Sequence, residues 1–313
     1  MLLDFAILII AAVALAKSSV ALVESLTRIA LKLKISEYMV GFILMAVATS
    51  LPEFFIGVVS AIEGRPTFSL GNVIGSNIAD PTIILGLAVL IAGGLRVQTN
   101  VRNKEIFYTA LSAAAPLIML LDGNLDRIEG VILLLFFAIY VYTLLFQSRE
   151  YTKVITNHRE ARPLALEFTL FGFELLVLLV SSKFLIQSSE VIATALRIPS
   201  ILIGIFVLAL GTSLPELAFT IPAAKKRQGA MVMGNILGSI VTNATLVLGV
   251  TAIIRPIAVE RPDIFLTSAG VLVLTLIIFS FFVWTEYRVT AKEALALILG
   301  YLVFVISQLL FGA

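Results

Sequence analysis

The chain has 313 residues, of which 60% are apolar and 13% are charged, with a formal net charge of +2 and a mean hydropathy of +1.08. A soluble domain carries about 25% charged residues, so this composition excludes a soluble enzyme, a nucleic-acid-binding protein and a disordered chain. Because about 20 consecutive apolar residues span a bilayer, the composition predicts an all-α polytopic membrane protein.

Long apolar runs between short charged clusters predict ten transmembrane helices. We place these helices at residues 4–31, 38–62, 68–93, 105–121, 128–147, 164–195, 201–225, 230–254, 264–283 and 291–311. The first apolar run lacks the cleavage site typical of a signal peptide and is interpreted as the first helix. The longest polar stretch, 148–163, contains the one histidine, His158, and the chain has no cysteine. A metal site built on Cys or on several His is therefore excluded.

Two pairs of segments show that the halves of the chain are related. Residues 41–54 (GFILMAVATSLPEF) correspond to residues 204–217 (GIFVLALGTSLPEL). Residues 71–86 (GNVIGSNIADPTIILG) correspond to residues 234–249 (GNILGSIVTNATLVLG), again at an offset of 163. One shared offset indicates an internal duplication. A five-helix repeat ends on the side opposite its start, so the second copy is predicted to have inverted topology, as in many secondary transporters.

The distribution of Lys and Arg predicts the orientation in the membrane. The odd-numbered loops and adjacent helix ends contain 15 of the 22 basic residues, and the even-numbered loops contain five. The positive-inside rule then places both termini outside and the central loop in the cytoplasm. The predicted organisation is a first repeat at residues 1–147, a cytoplasmic linker at 148–163 and a second repeat at 164–313, in a multi-pass protein of the cytoplasmic membrane.

Three carboxylates fall near the middle of predicted helices. Glu53 and Glu216 each lie about fifteen residues into the second and seventh helices, and Asp80 lies at similar depth in the third, with Asn243 as its counterpart in the eighth. Each carboxylate at this depth costs about 2.5–3.5 kcal/mol. A bound cation is the simplest compensation, so we expect a central ion site.

The residues around these acids are suited to a cation. Pro52 and Pro215 lack an N–H and are expected to break their helices, leaving the carbonyls of Ala48 and Gly211 unpaired. The hydroxyl donors beside them are Thr49, Ser50, Thr212 and Ser213. Calcium accepts six to eight oxygens in a flexible shell, whereas magnesium requires a tighter octahedron. The third and eighth helices are likewise expected to be broken around the site.

Small residues predict close packing of the third and eighth helices. The glycines concerned are Gly71, Gly75, Gly234 and Gly238. Ser76 and Ser239 follow by one residue and are expected to face the same cavity.

Lys17 and Lys183 lie inside predicted helices, each seven residues before a glutamate, Glu24 and Glu190. Pairing on one helix face, or snorkelling of the lysines, is the expected explanation. Glu174 receives no assignment.

At the repeated segments the sequence resembles the cation/calcium antiporter superfamily, in its sodium/calcium exchanger branch of prokaryotic and archaeal type. The resemblance rests on ATSLPE (48–53) with GNVIGSNIAD (71–80), and on GTSLPE (211–216) with GNILGSIVTN (234–243). It implies an antiporter that extrudes Ca²⁺ by letting Na⁺ run inward, with the first and sixth helices sliding past the core to alternate access.

The resemblance also implies roles for individual residues. Glu53 and Glu216, with the backbone carbonyls of Thr49 and Thr212, would bind Ca²⁺. The implied sodium sites and central cluster comprise Ser50, Ser213, Ser76, Ser239, the carbonyls of Ala46 and Ala209, Asp80 and Asn243. Ca²⁺ and Na⁺ are then the substrates, the lipid bilayer is the surroundings, and no cofactor, nucleic acid or obligatory protein partner is expected.

One departure from the family pattern bears on the coupling ion. Archaeal-type relatives carry Asn in the first repeat and Asp in the second, whereas this chain has Asp80 first and Asn243 second. Because Asp at this position accompanies potassium or proton coupling in some branches, proton-coupled and potassium-dependent Ca²⁺ exchange remain alternatives. A passive cation channel is a more distant alternative. A channel would use a ring of acids in an oligomer or a filter, whereas this duplicated chain has one central cluster of acids, which suggests a carrier. An enzyme is not expected, because the one histidine lies in a loop.

Overall fold

The computed structural model describes residues 2–32, 45–96, 102–148, 163–286 and 288–311, and nearly all of them are helical. The helices of the first half are α1 Leu2–Lys32, α2 Met45–Thr49, α3 Leu51–Ile62, α4 Pro66–Ala79, α5 Leu85–Ala92, α6 Arg102–Met119 and α7 Arg127–Ser148. Those of the second half are α8 Leu164–Leu196, α9 Ser200–Ile203, α10 Ala209–Thr212, α11 Leu214–Lys225, α12 Gly229–Val241, α13 Leu248–Ile254, α14 Pro262–Glu286 and α15 Ala291–Phe311. The strands are β1 Leu95–Arg96, β2 Asn124–Leu125, β3 Ile257–Ala258 and β4 Arg288–Val289.

The described helices lie where the apolar runs predict them. Eight are long and apolar enough to cross a bilayer, and the pair Ser200–Thr212 and Leu214–Lys225, bent by 44°, makes nine when counted as one span. The predicted second helix is described only from residue 45, and most of the predicted linker, including His158, lies outside the described residues. The protein is therefore a multi-span helical membrane protein with eight or nine of the ten predicted spans in the described part of the chain.

The predicted breaks in the third and eighth helices are wrong. Pro66–Ala92 and Gly229–Ile254 are each one continuous span. In place of a break, each contains a π-helical segment, Asp80–Ile84 and Thr242–Val247. The Leu85 N–H donates to the Asp80 carbonyl, five residues back. The widened turn keeps the helix hydrogen-bonded across Pro81, which has no N–H to donate.

The breaks predicted in the second and seventh helices are present. Ser50 separates α2 from α3 with φ −81° and ψ 5°, and Ser213 separates α10 from α11 with φ −80° and ψ 4°. Pro52 and Pro215 each fall in the first turn of the helix that follows the break, where the missing N–H costs nothing.

Two short antiparallel ribbons join the halves. β1 pairs with β4, and β2 pairs with β3. To within one residue, the 163-residue offset carries β1 onto the position of β3 and β2 onto that of β4, so the same two-stranded ribbon occurs twice. Each ribbon follows the end of a spanning helix, which fixes where the chain leaves the apolar core.

The helices α1 and α8 pack against each other and carry an ion-pair cluster. Arg28 donates to buried Glu167 at 2.9 Å and to Glu24 at 3.4 Å. Ser25 donates to Glu174 at 2.9 Å, which gives that unassigned residue a structural partner.

The predicted pairing of the two intrahelical lysines is wrong for the glutamates concerned. Glu24 pairs with Arg28, and Glu190 pairs with Arg65 from the loop before α4. Seven residues of helix span about 10 Å, so an arginine one turn away, or on a neighbouring loop, reaches the carboxylate more easily. Lys17 and Lys183 are exposed on the helix surface.

Candidate functional site

The two interrupted helices bring Glu53 and Glu216 to the centre of the protein. Each glutamate lies in the first turn of a half-helix, where the helix dipole favours a negative charge. The segments Ser50–Glu53 and Ser213–Glu216 match the S-x-x-E capping box, yet neither serine makes the side-chain capping hydrogen bond. The polar side chains of both segments are thus left available for contacts across the two halves.

Two threonine–asparagine pairs connect the halves. The Thr49 hydroxyl donates to Asn235 Oδ1 at 3.1 Å, and the Thr212 hydroxyl donates to Asn72 Oδ1 at 3.1 Å. The 163-residue offset relates Thr49 to Thr212 and Asn72 to Asn235, so the two pairs are equivalent. All four residues are fully buried, so the repeat visible in the sequence is also a repeat of contacts.

Serines and carboxylates complete the cluster. Ser76 donates to Glu53 at 3.3 Å and lies 3.4 Å from the Thr212 hydroxyl. Ser239 donates to Asp80 at 2.8 Å and accepts from Ser50 at 3.3 Å. The three carboxylates lie close enough to repel one another electrostatically when they are charged. This holds for Glu216 with Glu53 and Asp80, and for Glu53 with Asp80. The structure therefore brings together the three carboxylates that were predicted from depth alone.

Several oxygens of this cluster are buried without a hydrogen-bond partner among the described residues. They are Glu53 Oε2, Asp80 Oδ1, Glu216 Oε1 and Oε2, Ser213 Oγ and Asn243 Oδ1. Buried polar atoms are almost always paired, so each unpaired one requires an explanation. Six oxygens and no nitrogen or sulfur ligand match the preference of Ca²⁺, and of hard cations generally. The described residues contain no group of three His, Cys, Asp or Glu spaced for a metal, so a cation here would be bound by mixed carboxylate, hydroxyl and amide oxygens.

The backbone carbonyls implied as sodium ligands accept hydrogen bonds in this structure. The Ala46 carbonyl accepts from the Ser50 N–H at 3.4 Å. The Ala209 carbonyl accepts from the Ser213 N–H at 3.0 Å and from the Thr212 hydroxyl at 3.2 Å. The Ala209 carbonyl thus differs from the Ala46 carbonyl, because it accepts a second hydrogen bond and its bond from the backbone N–H is shorter.

Asparagines are the functional candidates that the sequence reasoning missed. Asn72 and Asn235 accept from the central threonines, and Asn77 Oδ1 accepts from the Asn243 amide at 3.2 Å, which leaves Asn243 Oδ1 without a partner. The signal that could have identified Asn72 and Asn235 is their repetition at the 163-residue offset within an apolar helix. Asn77 has isoleucine at the corresponding position, Ile240, and has no such signal.

The two asparagine partners are not held equally. Asn235 Nδ2 donates to Thr220 Oγ1 at 3.2 Å, which fixes the orientation of its amide. The residue corresponding to Thr220 in the first half is Gly57, and Asn72 Nδ2 has no partner among the described residues. The duplicated site is therefore asymmetric in charge, because Asp80 corresponds to Asn243. It is also asymmetric in how firmly the two asparagine amides are held.

Close packing at the predicted glycines positions these side chains. A Cβ added at Gly71 would clash with the Ile201 carbonyl, and a Cβ added at Gly75 would clash with the Ile205 carbonyl and lie 2.6 Å from the Ala209 Cβ. Gly234 and Gly238 are buried in α12. A cavity of about 670 Å³, lined almost entirely by apolar residues of α6 and α14, includes no residue of this cluster.

Comparison with known proteins identifies the family. The sodium/calcium exchanger protein family matches residues 3–146 and 166–310. The sodium/calcium exchanger MaX1 of Methanosarcina acetivorans is 26% identical over 343 residues, covering 97% of each chain. The uncharacterized membrane protein MJ0091 of Methanocaldococcus jannaschii is 31% identical over 255 residues, covering 81% of this chain and 82% of that protein.

A solved structure has the same fold. The sodium-calcium exchanger NCX_Mj, soaked with 2.5 mM Na⁺ and 0.1 mM Ca²⁺, superposes with a TM-score of 0.69 at 27% identity, covering 98% of this chain and 99% of that one. The family match covers both halves of the chain, and the structural match covers nearly all of it. The chain belongs to the sodium/calcium exchanger protein family.

Proposed function

We propose that this protein is a secondary antiporter that exchanges Na⁺ for Ca²⁺ at the cluster of Glu53, Glu216 and Asp80. The observation that carries the proposal is the set of six buried, unpaired oxygens contributed by both halves. Glu53 and Glu216, with the backbone carbonyls of Thr49 and Thr212, would bind Ca²⁺. The sodium positions would use Ser50, Ser213, Ser76, Ser239, the carbonyls of Ala46 and Ala209, and the central residues Asp80 and Asn243.

The charge of the cluster supports exchange rather than cotransport. Three carboxylates carry −3, which one Ca²⁺ reduces to −1 and three Na⁺ neutralise. Binding both loads at once would place excess positive charge in a site closed to water, where charges interact strongly. Occupancy by Ca²⁺ and by Na⁺ is then mutually exclusive, which is the requirement for obligatory exchange.

We further propose that the two halves are inverted-topology repeats and that the protein works by alternating access. The termini would lie outside the cytoplasmic membrane, the linker at 148–163 would be cytoplasmic, and the physiological direction would be Ca²⁺ extrusion. The hydrogen bonds between Thr49 and Asn235 and between Thr212 and Asn72 support a site assembled where the halves meet.

The test is Ca²⁺ uptake into proteoliposomes under an imposed ion gradient. An outward Na⁺ gradient should drive uptake, and Glu216→Gln should abolish it, because the variant loses a charge that a divalent cation requires. Glu63→Gln is the matched control, since Glu63 is exposed at the end of α3. Ca²⁺ uptake at the same rate with and without the Na⁺ gradient would refute the proposal that exchange is coupled to sodium.

The position of Asp80 favours a second candidate, proton-coupled or potassium-dependent Ca²⁺ exchange. Asp80 is buried and hydrogen-bonded to Ser239 in the half where relatives of archaeal type carry Asn. This candidate predicts uptake driven by a pH gradient alone, or an absolute requirement for K⁺ beside Na⁺. Steady conductance without a counter-ion would instead indicate a passive channel.

A further inference from the structure

Three arginines line one pocket at the ends of spanning helices. The ribbon of β1 and β4 places Arg96 directly opposite Arg288. Arg227, in the turn between α11 and α12, lines the same cavity of about 430 Å³. None of the described residues that line this cavity is acidic.

One feature of this arrangement is unfavourable in isolation. Arg227 has φ +57°, in the left-handed region that a non-glycine residue seldom adopts. This cost falls at the pocket, and backbone strain of this kind clusters at functional sites.

The duplication supplies an internal comparison. Where this ribbon pairs Arg96 with Arg288, the other ribbon pairs Ala258 with Asn124, and the 163-residue offset relates Arg227 to Gly64. Gly64 also has positive φ, +82°, so the turn is the same and the first half uses the residue that tolerates it. The other ribbon, β2 with β3, forms without arginine. The fold therefore does not require arginine at any of these positions.

The pocket lies at the boundary of the apolar spans. Its lining begins with Ala92, the last residue of the span Pro66–Ala92, and includes Ala291, the first residue of the span Ala291–Phe311. Lipid phosphates lie at this depth in a bilayer, and basic pockets between spanning helices bind anionic headgroups. The volume is within the range of pockets for small ligands.

We propose that Arg96, Arg227 and Arg288 form a binding site for a phosphate group, with an anionic phospholipid of the surrounding bilayer as its source. Guanidinium groups bind phosphate oxygens through paired, charge-assisted hydrogen bonds. A bound phosphate would tie together α5, α11 and α15, the helices adjoining the three arginines.

The experiment measures lipid binding by the full-length protein in detergent. Phosphatidylglycerol, phosphatidylcholine and inorganic phosphate are added separately, and binding is followed by native mass spectrometry and by the thermal unfolding midpoint. Phosphatidylglycerol should bind and raise the midpoint. Each Arg→Gln variant should weaken binding about fivefold, and the triple variant about a hundredfold. Arg127→Gln, an exposed arginine outside the pocket, is the control of equal charge.

Arg227→Gly separates binding from folding. Glycine relieves the left-handed strain, so this variant should unfold at the same or a higher temperature without lipid, yet bind phosphatidylglycerol about fivefold more weakly. An arginine-dependent response to inorganic phosphate but not to phosphatidylglycerol would overturn the lipid source and assign a soluble one. No response of the parent protein to either probe, or an equal response of the triple variant and the Arg127→Gln control, would overturn the proposal.

Discussion

Gly75→Ala tests whether the contact between α4 and α10 sets the geometry of the ion site. The added Cβ would lie 2.2 Å from the carbonyl oxygen of Ile205, in the π-helical segment Gly204–Leu208 that precedes α10, and 2.6 Å from the Ala209 Cβ. Ordinary contact begins at 3.4 Å, so the helices must separate by about 1.2 Å, the difference from the shorter distance. Overpacking of this kind costs about 1–3 kcal/mol of the free energy of unfolding.

The same displacement acts on the hydrogen bonds across the two helices. Asn72 and Ser76 belong to α4, and Thr212 belongs to α10. An extra separation of about 1.2 Å, from the same comparison of contact distances, lengthens the 3.1 Å bond from Thr212 to Asn72 and the 3.4 Å bond between Ser76 and Thr212 beyond hydrogen-bonding distance. Because metal–oxygen distances in a working site hold to about 0.2 Å, we expect the half-saturating Ca²⁺ concentration to rise by about tenfold or more.

The assay is Na⁺-driven Ca²⁺ uptake in proteoliposomes, with thermal unfolding of the same preparations. Gly270→Ala is the matched control, because a Cβ there meets nothing within 4 Å and alanine favours a helix. Gly75→Ala should lose affinity for Ca²⁺ and unfold at a lower temperature, while Gly270→Ala should do neither. If Gly75→Ala transports Ca²⁺ with unchanged affinity, the close contact does not position the site.

Three further predictions address charge, restraint and the ion pair outside the site. Asp80→Asn should raise the half-saturating Na⁺ concentration in uptake assays about tenfold by removing one of three charges. Adding Asn243→Asp should restore the original concentration, and no recovery would mean that the position of the acid matters more than the total charge. Thr220→Val frees the Asn235 amide, so Ca²⁺ affinity should fall about fivefold, whereas Thr169→Val, whose hydroxyl bonds only its own helix, should leave affinity unchanged. Arg28→Gln leaves buried Glu167 unpaired and should lower the free energy of unfolding by about 3 kcal/mol. In denaturation experiments the double variant Arg28→Gln with Glu167→Gln should recover most of this loss, and an equal loss in the single and double variants would exclude the ion pair as the cause.

The helices were predictable because their signal is physical and local. Every predicted bound that falls in the described residues lies within three residues of the observed one, since an apolar run has to match the thickness of a bilayer. The central acids were predictable for a related reason, because a carboxylate at this depth has few explanations other than an ion.

What escaped prediction depends on contacts between distant residues. Asn235 accepts from Thr49, 186 residues away in the chain, and no local pattern reveals such a partner. In the third predicted helix, a one-residue shift in hydrogen bonding accommodates Pro81 without interrupting the helix. The corresponding π-helical segment Thr242–Val247 contains no proline, so no local sequence signal marks it. The predicted pairing of Lys17 with Glu24 is wrong, because Glu24 pairs with Arg28, four residues further along the same helix.

The hydrogen bonds between the halves also have a consequence for biogenesis. Glu53 and Asp80 enter the bilayer during synthesis well before Glu216 and Ser239 have left the ribosome. Until then Asp80 lacks its donor Ser239, and Glu53 has only Ser76 from its own half, while each acid costs about 2.5–3.5 kcal/mol in the membrane. We therefore expect the ion site to mature last, after insertion of the second half, and the newly made first half to depend on the translocon or a membrane chaperone.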